Sequence, residues 1–551
     1  MLSFLLSLFL SIYHPPVAYQ VSLAGNFGEP RPHHFHGGLD IKTDGVEGKP
    51  IYAIGDGYVS RVTMGKSGFG NAIYVTHPEG YTSVYCHLKA FTPRIRAAMR
   101  RWQYAHETSD GDARLSPLDC PVSQGQLIAL SGNTGHSTGP HLHLEIHDTD
   151  TWNMLDPLDF IGDCISDTVP PQVHGLMACP QSGEGVFNKS ASKQTFTVNG
   201  NSTGKQFTAW GRIGFALWAD DYMQDSKNHF GIRETILMVD GEEVFHTVVN
   251  EIPVESNRLV NAWGDYDYWL HHRTWYMKSF LDPGCSLPIL RARQRGIIDF
   301  CEERDYQLEY ILRDHKGNEC RYPFTVRGEK YTIPPRVLTT DGDSQRLFRW
   351  NQTNTYSAPG VQLVVPYGLL TTDRYLKPVV RQRANSFSDS YNFYPESCPL
   401  VTEGQILLYA DIDRVGADEV VRREYDPSKL YVTADGRYAG GEYNDGWVCG
   451  RVTELGATYA LAYDDEPPLV SVVDTEEGIT LSLTDSGSGV ASYNAIVDGC
   501  FVIFDVVEKT HRVVCDLSDS PIRRSGKNRR LVFTATDRCD NTRTFETTIV
   551  Y

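Results

Sequence analysis

The run Gly139-Pro-His-Leu-His-Leu-Glu-Ile146 decides how this chain is read. Residues i and i+2 of a β-strand point to one face, so His141 and His143 project together while Leu142 and Leu144 face the other way, into a core. Pro140, just before the pair, favours extended backbone. Working outward, His34-Phe-His-Gly-Gly-Leu-Asp40 supplies His36 and, four residues on, Asp40. That spacing suits one face of a helix, but Gly37-Gly38 between them favours a turn leading into a strand. Between these two stretches, Ser83-Val-Tyr-Cys-His-Leu88 presents His87. A lone histidine is more often structural than a ligand, but four imidazoles and a carboxylate occurring together change that balance. Catalytic zinc takes three protein ligands and leaves a fourth position for water, and this set has the composition of such a site with histidines beside it. The HExxH pattern is absent, which excludes the helical metalloprotease arrangement.

The surrounding sequence predicts antiparallel β structure. From Val21 to about Gly162, short alternating apolar runs such as 50–62 (PIYAIGDGYVSRV) and 71–77 (NAIYVTH) are punctuated by glycine. Turns fall at Asp56-Gly57, Glu79-Gly80 and Ser131-Gly132. One segment breaks the pattern: in 93–105 (PRIRAAMRRWQYA), Ile95, Met99 and Trp102 recur at helical spacing, which predicts an inserted amphipathic helix. Its arginines 94, 96, 100 and 101 read as a solvated face, or as an attractor for substrate carboxylates. Histidines 33, 34, 77, 136 and 147 are expected at loops or the surface. Cys86 beside His87 raises a cysteine–histidine nucleophile, but adjacent strand residues face opposite ways.

A chain of 551 residues suggests about three to five domains at roughly 100–200 residues each. The formal net charge of −18 argues against nucleic acid as partner, since phosphate binding needs a basic surface. Residues 1–20 open on the apolar run Met1–Ile12 and read as a signal peptide, cleaved near Ala18, or as an N-terminal anchor. The twelve cysteines form no CxxC pair. They permit disulfides, Cys500 with Cys515 for example, and equally permit isolated buried thiols.

Beyond residue 166 the chain repeats itself. Asp167-Thr-Val-Pro-Pro171 and Asp464-Asp-Glu-Pro-Pro468 introduce segments that share a Gly-Ile/Val step (Gly231, Gly489) and a Val-Asp-Gly turn (239–241, 497–499). Both segments close on DxxxN, as Asp314 to Asn318 and Asp537 to Asn541. We expect a mainly β protein: an N-terminal antiparallel β domain with a helical insertion over 21–166, immunoglobulin-like β-sandwiches over 167–330 and 464–551, and a further β-rich domain over 331–463. The first sandwich is enlarged by an insertion around 246–298.

HFHGGLD, YCHL and 132–146 (GNTGHSTGPHLHLEI) resemble, in the same order, the motifs of the lysostaphin-like (LytM-type) zinc metallopeptidases, whose domain is of the duplicated-hybrid-motif kind. The resemblance covers about residues 24–162. The stretch 25–41 (GNFGEPRPHHFHGGLDI) is similar to the start of this domain in multidomain envelope proteins of Gram-negative bacteria. By this resemblance His36, Asp40 and His143 match the zinc ligands, and His87 and His141 the two catalytic histidines. The implied activity is hydrolysis of peptide bonds in peptidoglycan cross-links or stem peptides, in the periplasm or cell envelope, with Zn2+ as cofactor. The alternative is a non-catalytic wall-binding protein or activator of other wall hydrolases that keeps the fold. The C-terminal β domains would then bind an envelope protein partner, or serve as spacers. The insertion at 92–122 is longer than the family's minimal connection and lines or covers the groove in this reading.

Overall fold

The computed structural model describes residues 13–551 except 67, 110, 199–205, 225, 336–345, 416–423, 475–477 and 508; the apolar run Met1–Ile12 lies outside the described residues. The protein is mainly β. Among the described residues no helix is long and apolar enough to cross a membrane.

In the N-terminal domain the strands are β1 (Leu23–Gly25), β2 (Gly38–Lys42), β3 (Gly57–Lys66), β4 (Gly70–Thr76), β5 (Tyr81–Cys86), β6 (Asp112–Arg114) and β7 (His141–Asp148). They pair antiparallel in the order β1-β2-β7-β5-β4-β3-β6. The last strand of the domain is therefore central. Its inward apolar set, Leu142, Leu144 and Ile146, is buried with Leu39, Ile41 and Tyr85 in one core. The Gly37-Gly38 pair exists because of close approach. A Cβ on Gly38 would lie 2.1 Å from the Leu144 carbonyl oxygen, and one on Gly37 would lie 2.5 Å from Glu145 Oε1. Real Cβ atoms do not come that near, so only glycine lets β2 lie flush against β7.

The inserted helix α1 (Pro93–Ala105) starts with proline at its first turn and buries Ile95, Ala98 and Met99. It also buries Arg100, which faces the C-terminal domain.

Most described strands between residues 172 and 328 join one hydrogen-bonded sheet built on two long strands, β8 (Gln172–Phe187) and β9 (Phe207–Asp220). Its core takes in Phe27, Phe35 and Met154 from the N-terminal domain. The segment at 246–298 supplies a strand, Glu251–Ile252, that pairs with Met154–Leu155. The third unit packs two five-stranded sheets around a core running from Phe348 to Leu461. The last unit packs two four-stranded sheets over Leu481, Val497, Phe504 and Phe533. We propose immunoglobulin-like topology for 167–330 and 464–551, on the sequence features they share.

The chain closes back on itself. Arg100 and Arg96 bind Asp505 and Asp519 of the last unit, with Arg100 Nη1 2.8 Å from Asp505 Oδ1. Lys509 Nζ donates to the carbonyls of Asn133 (2.7 Å) and Ser137 (3.1 Å). Arg100 is thus buried against the last unit, whereas Arg94, Arg96 and Arg101 lie on an exposed face, from which Arg96 also reaches Asp519. All twelve cysteines are unpaired: Cys500 is exposed, and Cys515 is buried in the last core.

Candidate metal centre and active site

Register places the site. β7 lies between β2 and β5, so that His143 pairs with Asp40 on one side and with Cys86 on the other. Asp40 Oδ1, His36 Nε2 and His143 Nδ1 form a triangle: Asp40 to His36 is 3.0 Å, Asp40 to His143 is 2.9 Å, and His36 to His143 is 3.0 Å. All three residues are buried. Oxygen and nitrogen ligands about 2.0–2.1 Å from a tetrahedral ion stand about 3.3 Å apart, close to these edges.

The hydrogen bonds on the outer sides fix what these atoms present. His36 Nδ1 lies 2.6 Å from the Asn26 carbonyl oxygen, which can only accept, so we place the proton there and the lone pair on Nε2. His143 Nε2 lies 2.9 Å from Glu145 Oε1, which likewise leaves the Nδ1 lone pair inward. Two lone pairs and a carboxylate oxygen therefore face one point. With both rings neutral the donor set fits a divalent metal; in its place, a proton on the His143 ring can meet Asp40. The second Asp40 oxygen takes a 2.8 Å hydrogen bond from Arg31 Nη2, which holds the carboxylate in a one-oxygen presentation.

His87 and His141 stand beside the triangle, with ring centroids 4.8 Å apart. β5 ends at Cys86, and His87 takes a left-handed φ of 58°, so the backbone turns the imidazole toward the site. A non-glycine residue there stores strain of order 1–3 kcal/mol. His87 Nδ1 donates to the Thr134 carbonyl (2.8 Å), leaving its Nε2 with a free lone pair, and His141 Nδ1 lies 2.8 Å from the Gly139 carbonyl oxygen. His141 Nε2 is 3.2 Å from Asp40 Oδ1. Cys86 packs instead among Ala72, Tyr74 and Val84, and burial pushes its thiol well up, which leaves no nucleophile there.

Burial pulls His36 down to about 4 and, aided by the neighbouring His143 and His141, His87 down to about 3. Burial opposes charge on His143 as well, but Asp40 and Glu145 overcome it and raise the ring to about 9. Asp40 and Glu145 resist burial through their histidine partners and sit well below the usual carboxylate range.

Three residues escaped the sequence reading. Glu145 and His147 follow His143 at i+2 and i+4 on the same strand face, and Glu145 Oε2 is 2.7 Å from His147 Nε2. The period of two was visible in HLHLEIH and could have found them. Arg31 carried no such signal. Of the histidines expected at the surface, His77 and His147 are buried, and His136 is exposed.

Comparison with known proteins agrees with the motifs. Residues 34–100 match the profile of Peptidase family M23, and residues 345–464 that of a Zu5-like domain. An uncharacterized metalloprotease of Haemophilus influenzae is 34% identical over 120 residues, 22% of this chain and 19% of that protein. The DD-carboxypeptidase/endopeptidase Mpg of Neisseria meningitidis is 32% identical over 110 residues, 20% of this chain and 19% of that protein. Peptidoglycan DD-endopeptidase ShyA of Vibrio cholerae is 31% identical over 137 residues, 24% of this chain and 26% of that protein. The chain thus spans about a fifth to a quarter of the length of these relatives. Among solved structures, the catalytic domain of lysostaphin from Staphylococcus simulans aligns at 24% identity, over 25% of this chain and 89% of that one, with a TM-score of 0.19. The N-terminal domain is a peptidase M23 (LytM-type) domain.

Proposed function

We propose that this peptidase M23 domain is a zinc-dependent endopeptidase that hydrolyses peptide bonds in peptidoglycan cross-links or stem peptides, within an exported envelope protein. The observation that carries the reading is the triangle of His36 Nε2, Asp40 Oδ1 and His143 Nδ1, three electron-pair donors about 3.0 Å apart with two more imidazoles beside them. Likeness to the Neisseria DD-carboxypeptidase/endopeptidase supports the reaction, and likeness to the Vibrio peptidoglycan DD-endopeptidase supports the substrate class.

His36, Asp40 and His143 would hold the ion. When bound, zinc supplies Lewis acidity, which polarises a carbonyl and brings the pKa of water toward neutrality. His87 and His141 flank the triangle, and one of the two rings accepts the proton of the attacking water at Nε2 and returns it to the leaving amine. While it carries that proton, the ring's Nε2–H donates to the oxyanion of the tetrahedral intermediate. The carbonyl of Thr134 keeps the His87 ring in the tautomer that makes Nε2 the working atom. Arg31 and Glu145 position the ligands from behind.

Digestion of purified peptidoglycan by the zinc-loaded chain, with products weighed by mass spectrometry, tests the proposal. We expect fragments separated by one hydrolysed peptide bond with wild type and none with His143→Ala. Stoichiometric zinc with no product would overturn the enzyme and favour a wall binder or activator.

A further inference from the structure

The repeated DxxxN motifs have a structural counterpart. In the first copy, Asp167 of the linker, Asp221 just after β9 and Asp314 just after the strand Asp305–Arg313 converge, with carboxylate oxygens within 4.8 Å of one another and all three residues buried. In the last unit Asp464, Asp485 and Asp537 converge in the same way. The scaffold around them is also repeated. Asn318 Nδ2 donates to the linker carbonyl of Asp167 (3.2 Å) and to Asp314 Oδ2 (2.6 Å). Asn541 Nδ2 donates to the linker carbonyl of Asp464 (2.7 Å) and to Asp537 Oδ2 (2.8 Å). Each motif thus ties an Asp-x-x-Pro-Pro linker to the last hairpin of its unit and presents three acids at one end.

The two clusters differ in how their charge is met. In the last unit, backbone N–H groups serve the carboxylates: Gly487 and Gly489 donate to Asp485 Oδ1, and Ser488 donates to Asp464 Oδ2. In the first copy Asp221 is 3% exposed and its Oδ1 has no hydrogen-bond partner. Asp167, Asp221 and Asp314 make no ion pair with lysine or arginine among the described residues; Asp314 leans on Asn318, and Asp167 Oδ1 on the Val169 N–H. A cavity of about 20 Å³, room for one ion or water, borders Asp167 and Asp221. Two cations border it too, but both are engaged elsewhere. Arg233 binds Asp156 and Asp159, and Lys316 donates to the Gly162 carbonyl. A buried, unpartnered carboxylate oxygen among two further acids is costly unless a proton or a cation neutralises it, and burial, with Asp314 and Asp167 beside it, pushes Asp221 up to about 8.

We propose that Asp167, Asp221 and Asp314 bind a hard divalent cation, calcium by preference, that clamps the linker leaving the peptidase domain onto the first β unit. Oxygen-only donors select calcium or magnesium over zinc, and three carboxylates brought in from separate segments suit calcium's flexible geometry better than the near-ideal octahedron magnesium demands. The site is separate from the histidine centre and independent of the function proposed for it.

The test uses the full chain, stripped of metal and reloaded with one equivalent of zinc. Titration with calcium chloride should raise its melting temperature and show binding by calorimetry, and His143→Ala should respond equally, which separates this site from the zinc centre. Asp221→Asn should lose at least tenfold in calcium affinity. Its metal-free melting temperature should equal or exceed that of metal-free wild type, because one buried charge is gone; a merely structural Asp221 would give a drop. Asp485→Asn should leave the calcium response intact. The proposal fails if millimolar calcium leaves wild type unchanged, or if Asp221→Asn responds as wild type does. Should Asp221→Asn not fold, terbium luminescence of wild type, displaced by calcium and absent in Asp167→Asn, reads the same claim; terbium that calcium does not displace overturns it.

Discussion

Glu145 offers the sharpest prediction outside the ligands themselves. It is 4% exposed and bridges two rings, with Oε1 2.9 Å from His143 Nε2 and Oε2 2.7 Å from His147 Nε2. Its charge raises the basicity of the His143 ring and fixes the tautomer that turns Nδ1 to the metal. Glu145→Gln keeps the volume and one acceptor for His143 but removes the charge. Loss of such an outer partner costs about 10–100-fold in metal affinity, or about 1.4–2.8 kcal/mol at 1.4 kcal/mol per decade. Glu145→Ala goes further, since it strands buried groups on both histidines at about 1–3 kcal/mol each, and should also lower stability. Zinc affinity measured by competition with a chromogenic chelator reads the effect directly. Circular dichroism confirms that the Gln variant is folded. A folded Glu145→Gln with zinc affinity within twofold of wild type would refute the argument that this carboxylate tunes the site.

Other predictions follow from the same geometry. Arg31→Met leaves Asp40 Oδ2 without its 2.8 Å partner and should weaken zinc binding by about tenfold; unchanged affinity by the same competition contradicts it. The Arg100–Asp505 pair is largely buried, with side chains 10% and 15% exposed, so Asp505→Ala, which leaves Arg100 only Gln103 and the more distant Asp519, should weaken docking of the C-terminal unit by about 1.5–3 kcal/mol. Limited proteolysis should then release residues 465–551 early, and wild-type resistance would argue against it. Metal-free protein should be most stable near pH 6.5. His36 and His87 have folded values lowered to about 4 and about 3, so their contribution is present above pH 6.5 and is lost as pH falls through those values. His143, raised to about 9, contributes fully below pH 6.5 and loses that contribution as pH rises through 9. Calorimetry of chelator-treated protein from pH 4 to 9.5 reads both limbs, and zinc should abolish the alkaline one; a flat metal-free profile above pH 6.5 contradicts the assignment.

Much of the site was legible in the sequence because strand period leaves so few options. Two residues apart on a strand, His141 and His143 had to share a face, and burial of Leu142 and Leu144 follows from the same rule. The helix at 93–105 was equally plain from Ile95 and Met99. What periodicity cannot supply is the partner. It marks Arg96 and Arg100 as a polar face, but not that Asp505 and Asp519, over 400 residues later, cover them. Gly37-Gly38 read as a turn, whereas the cause is the Leu144 carbonyl and Glu145 pressing against β2, a contact between segments a hundred residues apart. His87 was placed by motif alone, because its left-handed backbone breaks the strand alternation that served elsewhere. The DxxxN repeats were visible as a pattern, but their three converging acids needed the linker aspartates and Asp221 brought in by the fold.

The central claim is that the triangle holds zinc and the flanking imidazoles do the proton work. The most direct measurement is the rate of peptidoglycan cleavage by His87→Ala and His141→Ala at zinc occupancy equal to wild type. The account predicts that each variant keeps about one zinc per chain and loses about 10²–10⁴-fold in rate, the range for a positioned acid–base group. Cleavage at the wild-type rate with either ring removed would contradict it.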